Sequence, residues 1–174
     1  TSNLDDPSIK LPGDNFNTIL YSGTRLTRSI SGVGFQPDLT WIKSRTNAEA
    51  QAWFDAVRGA TNVIKSEGTA AEVTVAQSLT AFDSDGFSLG TDDMVNGGPS
   101  PEDYVAWNWL GANGTVTNTD GTNIDSTVSA NTTAGFSICT YTGTGDAADS
   151  FGHGLTEAPT WLVVKRLDSA DGWN

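Results

Sequence analysis

Phe16-Asn17-Thr18-Ile19-Leu20-Tyr21-Ser22-Gly23 returns 120 positions later as Phe136-Ser137-Ile138-Cys139-Thr140-Tyr141-Thr142-Gly143. Each stretch is rich in β-formers and ends at a turn glycine, and the second alternates in polarity, so each predicts a strand. The recurrence runs on: Thr24, Gly32 and Gly34 return as Thr144, Gly152 and Gly154 at the same offset of 120. Pro37 and Lys43 return as Pro159 and Lys165 at an offset of 122, and Trp53 matches Trp173 at 120. One full copy followed by part of another is the signature of an array. Arrays built from one module bind or build more often than they catalyse.

Working outward, Pro37 launches a strand over Asp38 to Arg45. Its copy, Trp161-Leu162-Val163-Val164-Lys165, is continuously apolar and is expected to be the more central strand of the two. Ala52 to Val57 is a further strand candidate, and Asn62 to Lys65 and Ala71 to Ala76 are weaker ones. Leu79 to Phe82, the Asp83-Ser84-Asp85-Gly86 turn and Phe87 to Leu89 read as a hairpin. Met94 to Pro101 reads as a Gly/Pro loop, and Tyr104 to Trp109 as a strand with aromatics on alternate positions. Gly111 to Ser129 carries no core signal and reads as a surface loop or linker. No segment sustains a helical period.

These signals predict an all-β fold, an antiparallel β-sandwich of jelly-roll or concanavalin type. The expected organisation is an extended arm or linker over 1–14, a complete sandwich over 15–130, and the first strands of a second over 131–174. In such a fold the first and last strands of a module often lie side by side. A partial copy would then expose a sheet edge and half a core. Completion is expected from outside the chain as given, by its missing part or by another chain. Thr1 reads as a processed or trimmed start.

The chain carries 21 acidic against 9 basic residues, a formal charge of −12. Such a surface repels phosphate backbones and anionic lipid, so neither nucleic acid nor membrane insertion is expected. No apolar run reaches the length of a bilayer span. Cys139 is the single cysteine, which excludes an intrachain disulfide and a cysteine metal cluster. It is expected to be a small, half-buried strand residue.

The candidate functional residues each have a plainer reading. His153 is the sole histidine, but its counterpart is Val33, so it reads as a turn residue. Asp83, Asp85 and Asp92 form an acidic cluster of the kind that holds calcium, without the spacing of a helix–loop–helix site. Acidic turns are the first reading, calcium is the alternative, and no other cofactor is expected. Six tryptophans raise the prospect of a sugar-stacking platform, with Trp41, Trp107 and Trp109 as candidates. Yet Trp41 matches Val163, which favours packing. Lys43 and Lys165 are retained basic positions, and Lys43 is expected to pair with an acid such as Asp55. Asn113 and Asn131 begin glycosylation sequons that matter only in a eukaryotic secretory context.

The gathered motifs resemble a repeated domain of virion proteins from marine bacteriophages, including those of cyanobacteria. The similarity lies in Tyr21-Ser22-Gly23, Gly32 to Lys43, Phe54 to Thr61, Leu79 to Gly90, Tyr104 to Trp109, Val128 to Asn131, Gly135 to Ile138 and Gly152 to Leu155. The opening Asp6-Pro7-Ser8 and Phe16 to Thr18 also resemble the lead-in of such domains. The resemblance implies a laminin-G or concanavalin-like sandwich in a tail fibre, head fibre or other appendage of the particle. It implies no catalytic residues. The function expected is a non-enzymatic structural or adhesion module located on the virion. Its partners would be other virion proteins and copies of itself, with a trimer as the first expectation, and a host-surface glycan or protein. The alternatives are a carbohydrate-binding lectin-like module and a capsid decoration protein. A glycan depolymerase would need Asp83, Asp85 and Asp92 as paired carboxylates in a cleft.

Overall fold

The computed structural model describes residues 12–97 and 102–174. Most of the arm expected over 1–14, including Asp6-Pro7-Ser8, lies outside those residues, as does the end of the Met94–Pro101 loop. Pro12–Asp14 forms one 3-10 turn.

The strands of the first copy are β1 (Phe16–Ser22), β2 (Arg28–Ser31), β3 (Leu39–Ser44), β4 (Ala52–Asp55), β5 (Asn62–Lys65), β6 (Val73–Thr74), β7 (Leu79–Asp83), β8 (Gly86–Leu89) and β9 (Asp103–Trp109). One short helix, α1 (Asp93–Asn96), precedes β9 and is capped by the Asp92 side chain. Six strands form a sheet in the order β1-β9-β3-β4-β5-β6, and three form a second sheet, β2-β8-β7. Tyr21, Ile42, Phe54, Val63 and Ala106 of the first sheet and Ile30, Leu79, Phe87 and Leu89 of the second share one buried cluster. The fold is therefore an all-β sandwich, as the strand periodicity requires.

Strand β9 holds the larger sheet together. It pairs antiparallel with β1 along seven residues, Phe16 opposite Trp109 to Ser22 opposite Asp103. Its other edge pairs with β3 from Leu39 opposite Trp109 to Ser44 opposite Tyr104. On the core face Tyr104 stacks on Tyr21 with ring centroids 5.2 Å apart. Tyr21 donates its hydroxyl to the Val95 carbonyl at 2.7 Å, and Tyr104 donates to the Asp93 carbonyl at 2.7 Å. Burial pushes both hydroxyls above the usual tyrosine range, so both stay protonated donors. Gly23 must be glycine here: a Cβ would stand 2.5 Å from the Gly97 carbonyl and 2.9 Å from the Tyr104 ring.

A buried ion pair fixes the β4–β5 end. The Arg58 guanidinium lies 2.5 Å from Asp55 and 2.6 Å from Glu72, and the Arg58 and Asp55 side chains are almost wholly buried. Lys43, which by sequence could pair with an acid such as Asp55, does not do so. Lys43 instead donates to the carbonyls of Asn47 at 3.2 Å and Glu49 at 2.8 Å, closing the loop between β3 and β4. Arg58 wins because its planar fork, three residues past Asp55, meets both carboxylates and two carbonyls at once.

The chain then continues as β10 (Val116–Asn118), β11 (Asn123–Ile124), β12 (Ser126–Asn131), β13 (Phe136–Tyr141) and β14 (Ser150–Phe151). β10, β12 and β13 form a three-stranded sheet, while β11 and β14 form a short parallel pair. Two expectations differ here. Gly111 to Ser129 is not a bare linker: Ile124, Ser126, Val128 and Ser129 are buried. Two of these are serines used as hydrogen-bond nodes, so hydropathy gives no warning of their burial. Trp161–Lys165 is not a central strand: its ladder is one bridge, Lys165 to Trp173, and Trp161 and Leu162 are exposed.

Asp55→Ala leaves a buried guanidinium with one carboxylate fewer, and is expected to cost about 3–5 kcal/mol. Urea denaturation followed by tryptophan fluorescence measures this, and a loss below about 1 kcal/mol contradicts the role given to the pair.

Candidate functional site

The alternation of β3 puts Thr40, Ile42 and Ser44 on the core face and Trp41 and Lys43 on the other. The register places Trp107 of β9 opposite Trp41, and Trp53 of β4 opposite Trp41 on its other side. Three indole rings thus stand in a row across three strands, with centroids 5.1 Å and 5.6 Å apart. Trp173, from the second copy, extends the row at 5.5 Å from Trp53. The rings are tilted against one another by 31–47° and are half-buried. The rings contact one another along the row, and each keeps part of its surface exposed to solvent.

Trp109, the third tryptophan candidate, lies two residues from Trp107 on the same side of β9. It packs between Phe16 of the first copy, at 4.9 Å, and Phe136 of the second, at 6.3 Å. Both ends of the aromatic surface are therefore met by the second copy. Polar bonds lock the contact at the Trp173 end: its indole N–H donates to the Gly68 carbonyl at 2.9 Å, and the Asp171 amide to Thr69 at 2.9 Å. The Glu72 amide donates to Leu167 at 2.9 Å.

Asp38, at the start of β3, ties down the connection between the copies. Its carboxylate accepts from the amides of Gly111 at 2.7 Å and Asn113 at 3.1 Å, and from the Ser129 hydroxyl at 3.3 Å. Burial pushes this carboxyl above the usual range, against the pull of those three donors, and the nearby Asp55 adds to the rise. Asn131 completes the connection by donating to Asn15 at 2.9 Å and to the Leu110 carbonyl at 3.2 Å.

The row also revises the repeat. Val164 and Asn174 exchange backbone hydrogen bonds, as the partners Ile42 and Ala52 stand opposite one another in β3–β4, and both positions are shifted by 122. Lys165 opposite Trp173 continues that register. Trp173 thus occupies the position of Gln51, not of Trp53. The two tryptophans that match at an offset of 120 in sequence are neighbours in space.

The acidic candidates serve local structure. Asp83 accepts from the Ser88 hydroxyl at 2.7 Å. Asp85 accepts from the amides of Gly32 at 3.0 Å and Gly34 at 2.7 Å. Asp92 accepts from the Met94 amide at 3.0 Å as the helix cap. Among the described residues no three His, Cys, Asp or Glu side chains group as a metal would require. His153 Nδ1 accepts from the Leu155 amide at 3.1 Å, a turn bond, and the Cys139 thiol lies 3.7 Å from the His153 carbonyl. An open groove of about 470 Å³ runs beside Val116, Asn118, Asp120, Val128, Leu155 and Thr156, away from Asp83, Asp85 and Asp92. Trp53, Trp173, Phe136 and Asp38 carry the contact between copies. The recurrence of tryptophan at an offset of 120 is legible in the sequence, whereas the contact between Trp53 and Trp173 is not.

Residues 11–174 match the family described as a domain of unknown function, DUF7483, and the chain belongs to that family. No curated protein and no solved structure matches it.

If the tryptophan row couples the copies, Trp53→Ala, Trp173→Ala and the double variant should give a coupling energy of about 0.5–1.5 kcal/mol in a double-mutant cycle. Additive losses in thermal denaturation contradict the coupling. Asp38 gives a pH signature. Its folded pKa is raised above the unfolded value, so the folded chain binds the extra proton and stability from this group falls as pH rises between the two values. Relative to Asp38→Asn, the parent chain should therefore gain stability on acidification from above the raised value towards 4, read by urea denaturation at stepped pH. A parallel or opposite trend contradicts it.

Proposed function

We propose that this DUF7483 chain is a non-enzymatic structural and adhesion module of a bacteriophage particle, part of a tail fibre, head fibre or similar appendage. The observation that carries the reading is the joint. Trp173 and Phe136 of the second copy pack on Trp53 and Trp109 of the first, and Asp38 holds the connection between them. A chain that welds successive modules together transmits orientation and load along an array, which is the requirement of a fibre. The virion assignment rests on the sequence resemblance to marine phage proteins. The formal charge of −12 suits a particle in a salty medium, where screening weakens repulsion between packed copies. Weak sites presented repeatedly, on a homo-oligomer such as a trimer, would gain avidity for a host-surface glycan or protein.

Mass spectrometry of gradient-purified phage particles, with immunogold labelling against this chain, tests the reading. The expected result is peptides of the chain in the particle and label on an appendage. Label spread over the capsid lattice favours the decoration protein instead, and absence from the particle overturns the proposal. A glycan array on the purified chain separates the lectin alternative: binding abolished by Trp41→Ala or Trp107→Ala would favour it.

A further inference from the structure

The second copy keeps residues whose partners, in the first copy, all belong to β9 or lie beside it. Tyr21 is 9% exposed beneath Tyr104, whereas its counterpart Tyr141 is 40% exposed. Leu39 and Thr40, opposite Trp109 and Asn108, are 4% and 0% exposed. Their counterparts at an offset of 122, Trp161 and Leu162, are 78% and 60% exposed. Gly23 is wedged against the Tyr104 ring and the Gly97 carbonyl, but a Cβ on its counterpart Gly143 would meet nothing within 4 Å. Four positions thus keep the chemistry of a filled site or enlarge its apolar surface; Gly143, Trp161 and Leu162 are open, and Tyr141 is covered on one side, by Phe151 at 4.0 Å.

Backbone pairing agrees. β13, the counterpart of β1, pairs with β12 and ends its sheet, and among the described residues no strand pairs with its other edge. Lys165 and Val164 have already joined Trp173 and Asn174 in the register of β3–β4. The counterparts of β1 and β3 are both in place, and among the described residues no strand lies between them as β9 does in the first copy.

We propose that the free edge of β13 and the segment Trp161–Lys165 form a strand-acceptor site for a β9-type polypeptide segment that carries the rest of a second repeat. The first copy specifies the occupant. It is an extended strand running antiparallel to both acceptor segments, with a tyrosine to fill the space over Gly143 and pack against the part of Tyr141 that Phe151 leaves exposed. Thr40 donates to the Asn108 side chain at 3.0 Å, but its counterpart is Leu162, so the occupant carries an apolar residue where β9 has Asn108. A second copy of this chain is a poor donor, because its own β9 is bonded on both edges and its release would open the sandwich. Strand addition of this kind gains affinity from main-chain bonds and selectivity from alternate side chains. The inference does not depend on the virion assignment.

The test is hydrogen exchange on the 174-residue chain, with and without synthetic peptides of residues 102–110. The peptide carrying Asn108→Val should slow exchange at the amides of β13 and Trp161–Lys165 about tenfold or more. The unmodified peptide should protect less, and a version that also carries Tyr104→Ser should lose most of the effect. Exchange in β1 and β3 should not change. Absence of protection, equal protection by all three peptides, or protection confined to β1 and β3 overturns the proposal. Concentration-dependent protection of the same amides without peptide also overturns it, since the occupant is then a second copy.

Discussion

Strand β9 is hydrogen-bonded to β1 on one edge and to β3 on the other, and Tyr104 at its start is buried against Tyr21. Most of the molecule follows from that insertion. It brings Phe16 opposite Trp109, more than ninety positions along the chain, so the larger sheet closes only after a long loop has been drawn in. It sets the core face, where Ala106 meets Ile19 and Ile42, and in the same step it sets the other face, where Trp107 meets Trp41. A shift of one residue would exchange the two faces, burying asparagine and tryptophan in each other's places.

The outer face would be a liability if left alone, since a contiguous aromatic surface on a sheet invites association. The chain uses it to seat its own second copy. Trp173 caps one end of the indole row and Phe136 packs on Trp109, while Asp38, whose carboxyl burial pushes above the usual range, bonds the connecting backbone. These contacts join strands β4 and β9 of the first copy to β13 and the Trp173 segment of the second, with loop backbone bonds beside them.

Much of the first copy was legible because its strands obey period two and its turns carry Gly, Asp and Pro. The paired strands around Gly86, the launch at Pro37 and the alternation of Tyr104 to Trp109 all appear where those signals put them. Three features were not legible, each for a stated reason. Ser126 and Ser129 are buried through hydrogen bonds that hydropathy does not register. Trp161–Lys165 has the composition of a central strand, but composition does not supply the neighbour that makes a strand central. Lys43 and Arg58 are both near Asp55, and only the fork geometry of the guanidinium in three dimensions selects between them. Of the candidate site, the aromatic residues were visible one by one and their row was not.

The sequence by itself determined the all-β class, the repeat and the absence of a disulfide, because these depend on local periodicity, self-similarity and the count of cysteines. Tertiary contacts were needed to show that Trp53 and Trp173, which match at an offset of 120, are tilted neighbours at different places in the fold, and that the second copy's retained glycine faces open space while its tyrosine packs on Phe151. The physical reason is that strand pairing fixes register between segments distant in the chain. Only that register states which residues share a face, and which lack a partner.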